Sequence, residues 1–112
     1  MERDDPVAIR AATRELLEVI VRRNALAHED IISAIFSVTE DLRSEFPAHA
    51  ARELGWADVP LLCTMEIPVP GALERCIRVL LHAETSVPRV ALRHVYLHGA
   101  RVLRPDLADD GD

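Results

Sequence analysis

The order of the hydrophobic patterns along the chain constrains its fold more than any other sequence feature. Asp5 followed by Pro6 is typical of a helix start, with the aspartate as N-cap and the proline in the first turn, where its missing N–H costs nothing. Apolar residues then recur at helical spacing to about Arg23, which predicts an amphipathic helix. The segment IISAIFSVT, residues 31–39, is short and rich in β-branched side chains, so a strand is expected next.

The second half of the chain predicts one short helix and several strands. Pro47 begins the helix PAHAAREL, which Gly55 can end in a left-handed conformation. The pattern of ALERCIRVLLHAE fits both a helix and a strand, and we favour a helical turn after Gly71 and then a strand from about Cys76 to Thr85. The other predicted strands are VPLLCTMEI at 59–67 and RHVYLH at 93–98. This order predicts an α+β fold in which helices cover one face of a mixed β-sheet.

Length and charge narrow the classes of function. A chain of 112 residues is expected to form one domain with one core, here residues 1–107, and the acidic tail ADDGD at 108–112 is expected to be disordered. The formal charge of −6, with 13 dispersed basic residues, argues against nucleic-acid binding. No apolar run reaches the roughly 18 residues of a membrane span, and MERDDP lacks signal-peptide features, so a cytoplasmic protein is expected. An apolar share of 49% in so short a chain favours a subunit interface.

Metal, nucleophile and cofactor signals are weak. His94 and His98 lie four apart on an apparent strand, where helical geometry does not apply, and no cysteine pair has zinc-finger spacing. Cys63 has no nucleophile-elbow motif and no placeable base beside it, so its simplest interpretation is a small buried hydrophobic residue. We therefore expect no metal site and no cofactor.

The stretch LLCTMEIPVPG places a carboxylate, Glu66, in an otherwise apolar strand. An ionised carboxylate buried without a partner costs several kcal/mol or takes up a proton, so Glu66 must face water or have a partner. Glu66, three arginines and a phenol could form a cavity rich in hydrogen-bond donors, suited to a small anion with several oxygens. Those arginines and the phenol are Arg52, Arg78, Arg93 and Tyr96. Taken singly, each arginine is more simply a surface ion-pair residue.

Two longer runs make the sequence resemble a known family. FPAHAARELGWADVPLLCTMEIPVPGALERCIRVLLHAET and RHVYLHGARVLRPDL resemble the AroH-type chorismate mutases, the small monofunctional α+β class of bacteria. The resemblance extends from about Asp5 to Leu107, includes TEDL at 39–42 and keeps the same order and spacing. It implies an intramolecular Claisen rearrangement of chorismate to prephenate, without cofactor, in aromatic amino acid biosynthesis. It also implies a homotrimer with a barrel-like centre, a trimeric pseudo-barrel, whose active sites lie in the clefts between subunits.

The resemblance assigns catalytic roles to individual residues. Arg78 would donate to the ether oxygen and to a carboxylate of the substrate, and Glu66 would accept a hydrogen bond from its ring hydroxyl. Cys63 corresponds to the neighbouring thiol of the same region. Because positions 63 and 66 have opposite parity on a regular strand, a bulge or a strand end must intervene if both face the cavity.

Further positions match substrate-binding residues of the family. The expected set is Arg52, Tyr96, Phe46, Ala48, His49, Leu62 and Leu103. Phe46, Ala48 and Arg52 match the segment that closes the pocket from an adjacent subunit, and Leu103 matches an apolar contact. His49 stands where some relatives carry a lysine, so a cationic contribution there would depend on pH.

One part of the family pattern has no match. Relatives usually begin with a strand that carries a carboxylate-binding arginine, as in VRGIRGA, before the segment matched by MERDDPVAI, and neither Arg3 nor Arg10 is a convincing substitute. Loss of one charge-assisted contact would cost about 1.5 to 3 kcal/mol of binding. Two functions follow as expectations. The first is an active chorismate mutase, and the alternative is a trimeric binding or structural homologue with weak catalysis.

Overall fold

Helix α1, Pro6–Arg23, begins where the sequence predicts it. In the computed structural model, which describes residues 1–106, the Asp5 carboxylate accepts a hydrogen bond from the Ala8 N–H at 2.9 Å. The cap thus pairs an N–H that has no partner within the helix. Pro6 lies in the first turn, where its missing N–H removes no helical hydrogen bond. The predicted end at Arg23 is also confirmed.

Three strands form one mixed sheet. Strands β1, Ile31–Val38, β2, Leu61–Met65, and β3, Ile77–Ala83, lie in the order β2-β1-β3. The central strand β1 runs parallel to β2 and antiparallel to β3. The three predicted strands in these places are confirmed, and each of them is shorter than the sequence pattern indicates.

Helix α2, Pro47–Glu53, joins α1 on one side of this sheet. Gly55 follows it with a φ of 95°, the left-handed conformation expected of that glycine. Buried residues from both helices and from β1 form a single core cluster: Leu17, Ile31, Ala34, Phe36, Ala48, Ala51, Trp56 and Val59. The prediction of helices on one face of a mixed sheet is therefore confirmed.

The two faces of the sheet differ because side chains alternate along each strand. Phe36 is aligned with Cys63 on β2 and with Val79 on β3, and all three pack on the helix side. The adjacent position, Ser37, is aligned with Arg78 and points to the opposite face. We call this second face, which neither helix covers, the open face.

The predicted strand RHVYLH is wrong. Residues 92–97 have no regular secondary structure and lie between two short 3₁₀ helices, Arg89–Ala91 and His98–Leu103. The backbone N–H and C=O of Arg93 are both bonded to the side chain of Asn24 at the end of α1. The start of this segment is thus tied to a helix end instead of to a neighbouring strand.

Two expectations concern the C-terminal end. The predicted domain boundary at Leu107 and the acidic tail at 108–112 lie outside the described residues. Within residues 1–106, no helix is long and apolar enough to cross a membrane.

Candidate active site

The Glu66 carboxylate and the Arg78 guanidinium meet on the open face. Glu66 follows the last residue of β2, and its N–H donates to the Val38 carbonyl at 2.8 Å, which continues the strand pairing by one bond. Its Oε1 accepts a hydrogen bond from Arg78 Nη1 at 3.2 Å, and its Oε2 accepts one from the Ser37 hydroxyl. The carboxylate therefore has a partner, which is one of the two outcomes that the sequence allows.

This ion pair is better suited to bind a ligand than to stabilise the fold. The Arg78 side chain is 51% exposed and that of Glu66 is 27% exposed, and ion pairs at such positions contribute at most about 1 kcal/mol to stability. A guanidinium has five N–H donors in a planar fork, so one bond to Glu66 leaves donors for an oxygen-rich molecule.

An open cavity of about 1520 Å³ extends around both faces of the edge strand β3, with Val79 and Leu81 on the helix side and the Glu66–Arg78 pair on the open face. Strand β3, helix α1 and the C-terminal segment 92–103 form its walls. Four of the residues that the family resemblance assigns to the site lie on it: Glu66, Arg78, Tyr96 and Leu103. Arg3 and Arg93 also line the cavity. Largely apolar walls with a few polar groups are typical of sites for small molecules.

The segment that carries Tyr96 is tied to α1 at both ends. Near its start, the Asn24 side chain bonds the Arg93 backbone. Beyond its end, His98 Nε2 lies 3.0 Å from Glu15 Oε1. Helix α1 thereby sets the position of a segment whose own backbone pairs with no strand.

A second group of predicted residues lies at α2, away from that cavity. Phe46 is 62% exposed and precedes the helix, His49 is half exposed, and Arg52 is exposed, whereas Ala48 is buried in the core cluster. One chain thus does not bring these residues to Glu66 and Arg78. The expectation that an adjacent subunit supplies this segment stays a prediction.

Cys63 and Leu62 point to opposite faces of β2. The Cys63 side chain packs against the core cluster on the helix side, whereas Leu62 lies on the open face and is 59% exposed. Positions 63 and 66 have opposite parity, so regular alternation already turns Glu66 toward Arg78 on the open face, and no bulge is needed. The structure therefore separates the thiol from the carboxylate within one chain.

Two site residues were missed at the sequence level, Ser37 and Glu45. Nothing in the apolar pattern of β1 marks Ser37, because its role depends on which strands lie beside it. Glu45 could have been found from its spacing to His49, since residues four apart can pair in a helical turn.

Glu45 links α1 to the start of α2. Its Oε2 lies 2.5 Å from Arg10 Nη1, its Oε1 lies 2.6 Å from His49 Nδ1, and Oε1 also accepts the Phe46 N–H at 2.8 Å. The Phe46 N–H, assisted by Arg10 and His49, holds the pKa of Glu45 below its ordinary value against the opposing effect of burial. Arg10, considered above as a substitute ligand, is thus engaged with this carboxylate.

The fold and the site together define a class of protein. It is a small α+β domain whose sheet carries a partly exposed arginine–carboxylate pair, of a kind suited to a small, oxygen-rich molecule. Within the described part of the chain, no three His, Cys, Asp or Glu side chains are grouped to hold a metal ion.

Comparison with known proteins identifies the family. The family described as chorismate mutase type I matches residues 1–107. The chain is 52% identical over 108 residues to the chorismate mutase AroH of Thermus thermophilus, with 96% of this chain and 88% of that protein covered. It is 46% identical over 109 residues to the chorismate mutase AroH of Bacillus subtilis, with coverages of 96% and 86%. A solved structure of a chorismate mutase from Clostridium thermocellum matches with a TM-score of 0.89 at 46% identity, over 90% of each chain. The chain therefore belongs to the chorismate mutase type I family, which confirms the resemblance predicted from the sequence.

Proposed function

We propose that this protein catalyses the rearrangement of chorismate to prephenate. The observation that carries the proposal is the Glu66–Arg78 pair on the open face, in the same cavity as Tyr96. A carboxylate acceptor, a guanidinium with free donors and a phenol match the groups of chorismate, which has two carboxylates, a ring hydroxyl and an ether oxygen. Family membership and the names of the relatives support the same reaction.

The reaction needs no attacking group from the protein. The ether C–O bond breaks while a C–C bond forms within the same molecule, so catalysis consists of holding the reactive shape and stabilising charge. Negative charge grows on the ether oxygen, and Arg78 is the donor that meets it. A preorganised donor of this kind supplies roughly 3 kcal/mol at the transition state, because its bond strengthens as the C–O bond breaks. No step requires the Cys63 thiol, which packs on the helix side.

Glu66 orients the substrate ring. Ser37 and Arg78 each occupy one of its oxygens, but a carboxylate has about four acceptor positions, so a substrate hydroxyl can still donate to it. Tyr96 provides a phenol for a carboxylate, and Leu103 an apolar contact. Arg78 thereby addresses acceptor oxygens of the ligand, and Glu66 addresses its hydroxyl donor.

We also propose that three subunits complete the site. Leu62 and Leu80 on the open face are each 59% exposed in the single chain, and apolar side chains of this kind favour a subunit interface. The segment of Phe46, His49 and Arg52, which faces outward in one chain, would then close the cleft of a neighbour. Light scattering of the purified protein measures the mass: three times 12.5 kDa supports this assembly, and a stable monomer contradicts it.

The test of function is the loss of chorismate ultraviolet absorbance after addition of purified protein. We expect saturable decay far above the spontaneous rate, with prephenate as the product. Decay at the background rate, in a preparation whose light scattering shows an intact trimer, would instead support the alternative of a binding or structural homologue.

A further inference from the structure

We propose that Glu45 is the positioning residue for the α2 part of the active site. Its carboxylate fixes the ring of His49 so that Nε2 is the nitrogen left to meet a substrate carboxylate. The inference rests on the proposed function, because it takes His49 as a substrate-binding residue. It adds a residue that the family resemblance does not assign.

The first argument is the number of bonds that Glu45 makes. Its side chain is only 11% exposed, and both of its oxygens are engaged. Oε2 is bound by Arg10 Nη1 at 2.5 Å, while Oε1 is shared by His49 Nδ1 at 2.6 Å and the Phe46 N–H at 2.8 Å. A carboxylate held from three directions cannot rotate without breaking charge-assisted bonds, so it is a fixed acceptor for the imidazole.

The second argument is that the carboxylate is anchored outside α2. Arg10 belongs to α1 and also approaches Glu53 of α2, with Nε 3.9 Å from Oε1. The charged groups around Glu45 thus come from both helices. The position of His49 is set by α1 as well as by its own helix, and a local shift of the segment would have to break the bond to Arg10.

The third argument concerns the imidazole itself. The Phe46 ring meets the His49 ring edge-on, with centroids 5.7 Å apart and an interplanar angle of 69°. Phe46 and Glu45 thereby restrain the ring from two sides, while the His49 side chain is still 47% exposed. An aromatic neighbour and a carboxylate together define which edge of the ring stays accessible.

This geometry determines which nitrogen of the His49 ring carries the proton. A carboxylate can only accept, so Nδ1 carries a proton whenever it is bonded to Glu45. Nε2 is then an acceptor in the neutral ring and a donor in the imidazolium, and only the donor form binds a carboxylate. Glu45 therefore ensures that protonation of His49 adds its proton at the exposed edge of the ring.

Steady-state kinetics of a double-mutant cycle tests the proposal. The variants are Glu45→Gln, His49→Gln and the double substitution. Glutamine has a single acceptor oxygen, so it cannot accept hydrogen bonds from Arg10 on one side and from both Phe46 and His49 on the other. We expect Glu45→Gln to raise KM for chorismate roughly three- to tenfold near pH 7, with kcat within about twofold of wild type.

The double variant separates positioning from a structural role. If Glu45 acts through His49, adding Glu45→Gln to His49→Gln raises KM no further. The proposal would be overturned if the increase in KM of the double variant equalled the product of the two single increases. It would also be overturned if Glu45→Gln lowered Tm and left KM unchanged. Glu18→Gln is the matched control, because it removes the same charge from an exposed pair with Arg14, 2.9 Å apart on α1, and is expected to leave KM unchanged.

A second readout does not depend on turnover. Nitrogen-15 spectra of the imidazoles, followed with rising pH until they stop changing, show which nitrogen of the neutral His49 ring carries the proton. We expect Nδ1–H in wild type and a shift toward Nε2–H in Glu45→Ala. A wild-type ring protonated at Nε2 refutes the inference. Absence of chorismate turnover together with an Nδ1 proton would instead refute the proposed function alone.

Discussion

The side-chain amide of Asn24 holds the backbone of Arg93 through two hydrogen bonds. Its Nδ2 donates to the Arg93 carbonyl at 2.9 Å, and its Oδ1 accepts the Arg93 N–H at 2.8 Å. This pairing imitates one rung of a β-ladder, with a side chain in place of a strand. It ties the segment that carries Tyr96, three residues later, to the end of α1.

Asn24→Ala is expected to reduce both stability and substrate binding. The variant loses the two bonds to Arg93 and a third from Nδ2 to the Ile20 carbonyl, which together correspond to about 1.5 to 4.5 kcal/mol of unfolding free energy. KM for chorismate should rise because Tyr96 loses its anchor. Urea unfolding and steady-state kinetics measure the two effects. Asn24→Asp keeps the acceptor for the Arg93 N–H but turns a carboxylate oxygen toward the Ile20 and Arg93 carbonyls, so it should also be less stable than wild type. A destabilised variant with an unchanged KM would show that this anchor does not position Tyr96.

Arg78→Lys is expected to reduce kcat by roughly a hundredfold or more, and Arg78→Ala by at least as much. Lysine keeps the charge but loses the planar fork that addresses an ether oxygen and a carboxylate together. The mass of the assembly should stay unchanged, because the pair with Glu66 is partly exposed and contributes little to stability. Chorismate decay and light scattering are the measurements. Near-normal kcat in either variant would remove Arg78 from the mechanism.

Ser37→Ala is expected to weaken catalysis with little effect on stability. The hydroxyl holds Oε2 of Glu66, so its loss frees the carboxylate to turn away from the substrate hydroxyl. We expect kcat/KM to fall about threefold to thirtyfold and the unfolding free energy to change by about 1 kcal/mol or less. Ser33→Ala is the control, since Ser33 lies on the same strand face and contacts His82 Nδ1 at 3.2 Å. Equal losses in both variants would contradict a specific role.

The Asp41 carboxylate is expected to make the fold sensitive to acid. Burial would raise its pKa, but hydrogen bonds from the Thr39 hydroxyl at 2.5 Å and the Arg75 N–H outweigh this and lower the pKa overall. Because the folded-state pKa lies below the unfolded one, this stabilisation is present above the ordinary aspartate value of about 3.9 and is lost as pH falls through the folded value.

Urea unfolding of wild type and Asp41→Asn at pH 7, 5 and 3 measures this effect. We expect the variant to be less stable at pH 7 and to lose less stability between pH 5 and 3, since it lacks the titrating group. Parallel pH profiles for the two proteins would show that Asp41 makes no such contribution. Glu45, whose pKa is also lowered, adds to the acid sensitivity that both proteins share.

The elements predicted best are those set by neighbours along the chain. Asp5 and Pro6 predict the start of α1, and Gly55 the end of α2, because capping bonds and backbone preferences act within one helical turn. The requirement that Glu66 face water or have a partner also followed from the sequence alone, since an ionised carboxylate buried without a partner is costly in any fold.

Tertiary structure decided which partners these residues meet. Ser37 lies 29 positions from Glu66, and only the order of the strands brings the two together. Asn24 lies 69 positions from Arg93. The pattern of RHVYLH predicts that the Arg93 backbone bonds to a neighbouring strand, but in the structure it bonds to the Asn24 side chain. Alternation along β2 puts Cys63 and Glu66 on opposite faces, and the packing of both helices on one side of the sheet decided that the face of Cys63 is the core. Local sequence determined the elements because their energies are local, whereas pairing and facing depend on contacts between distant segments that form only in the folded chain.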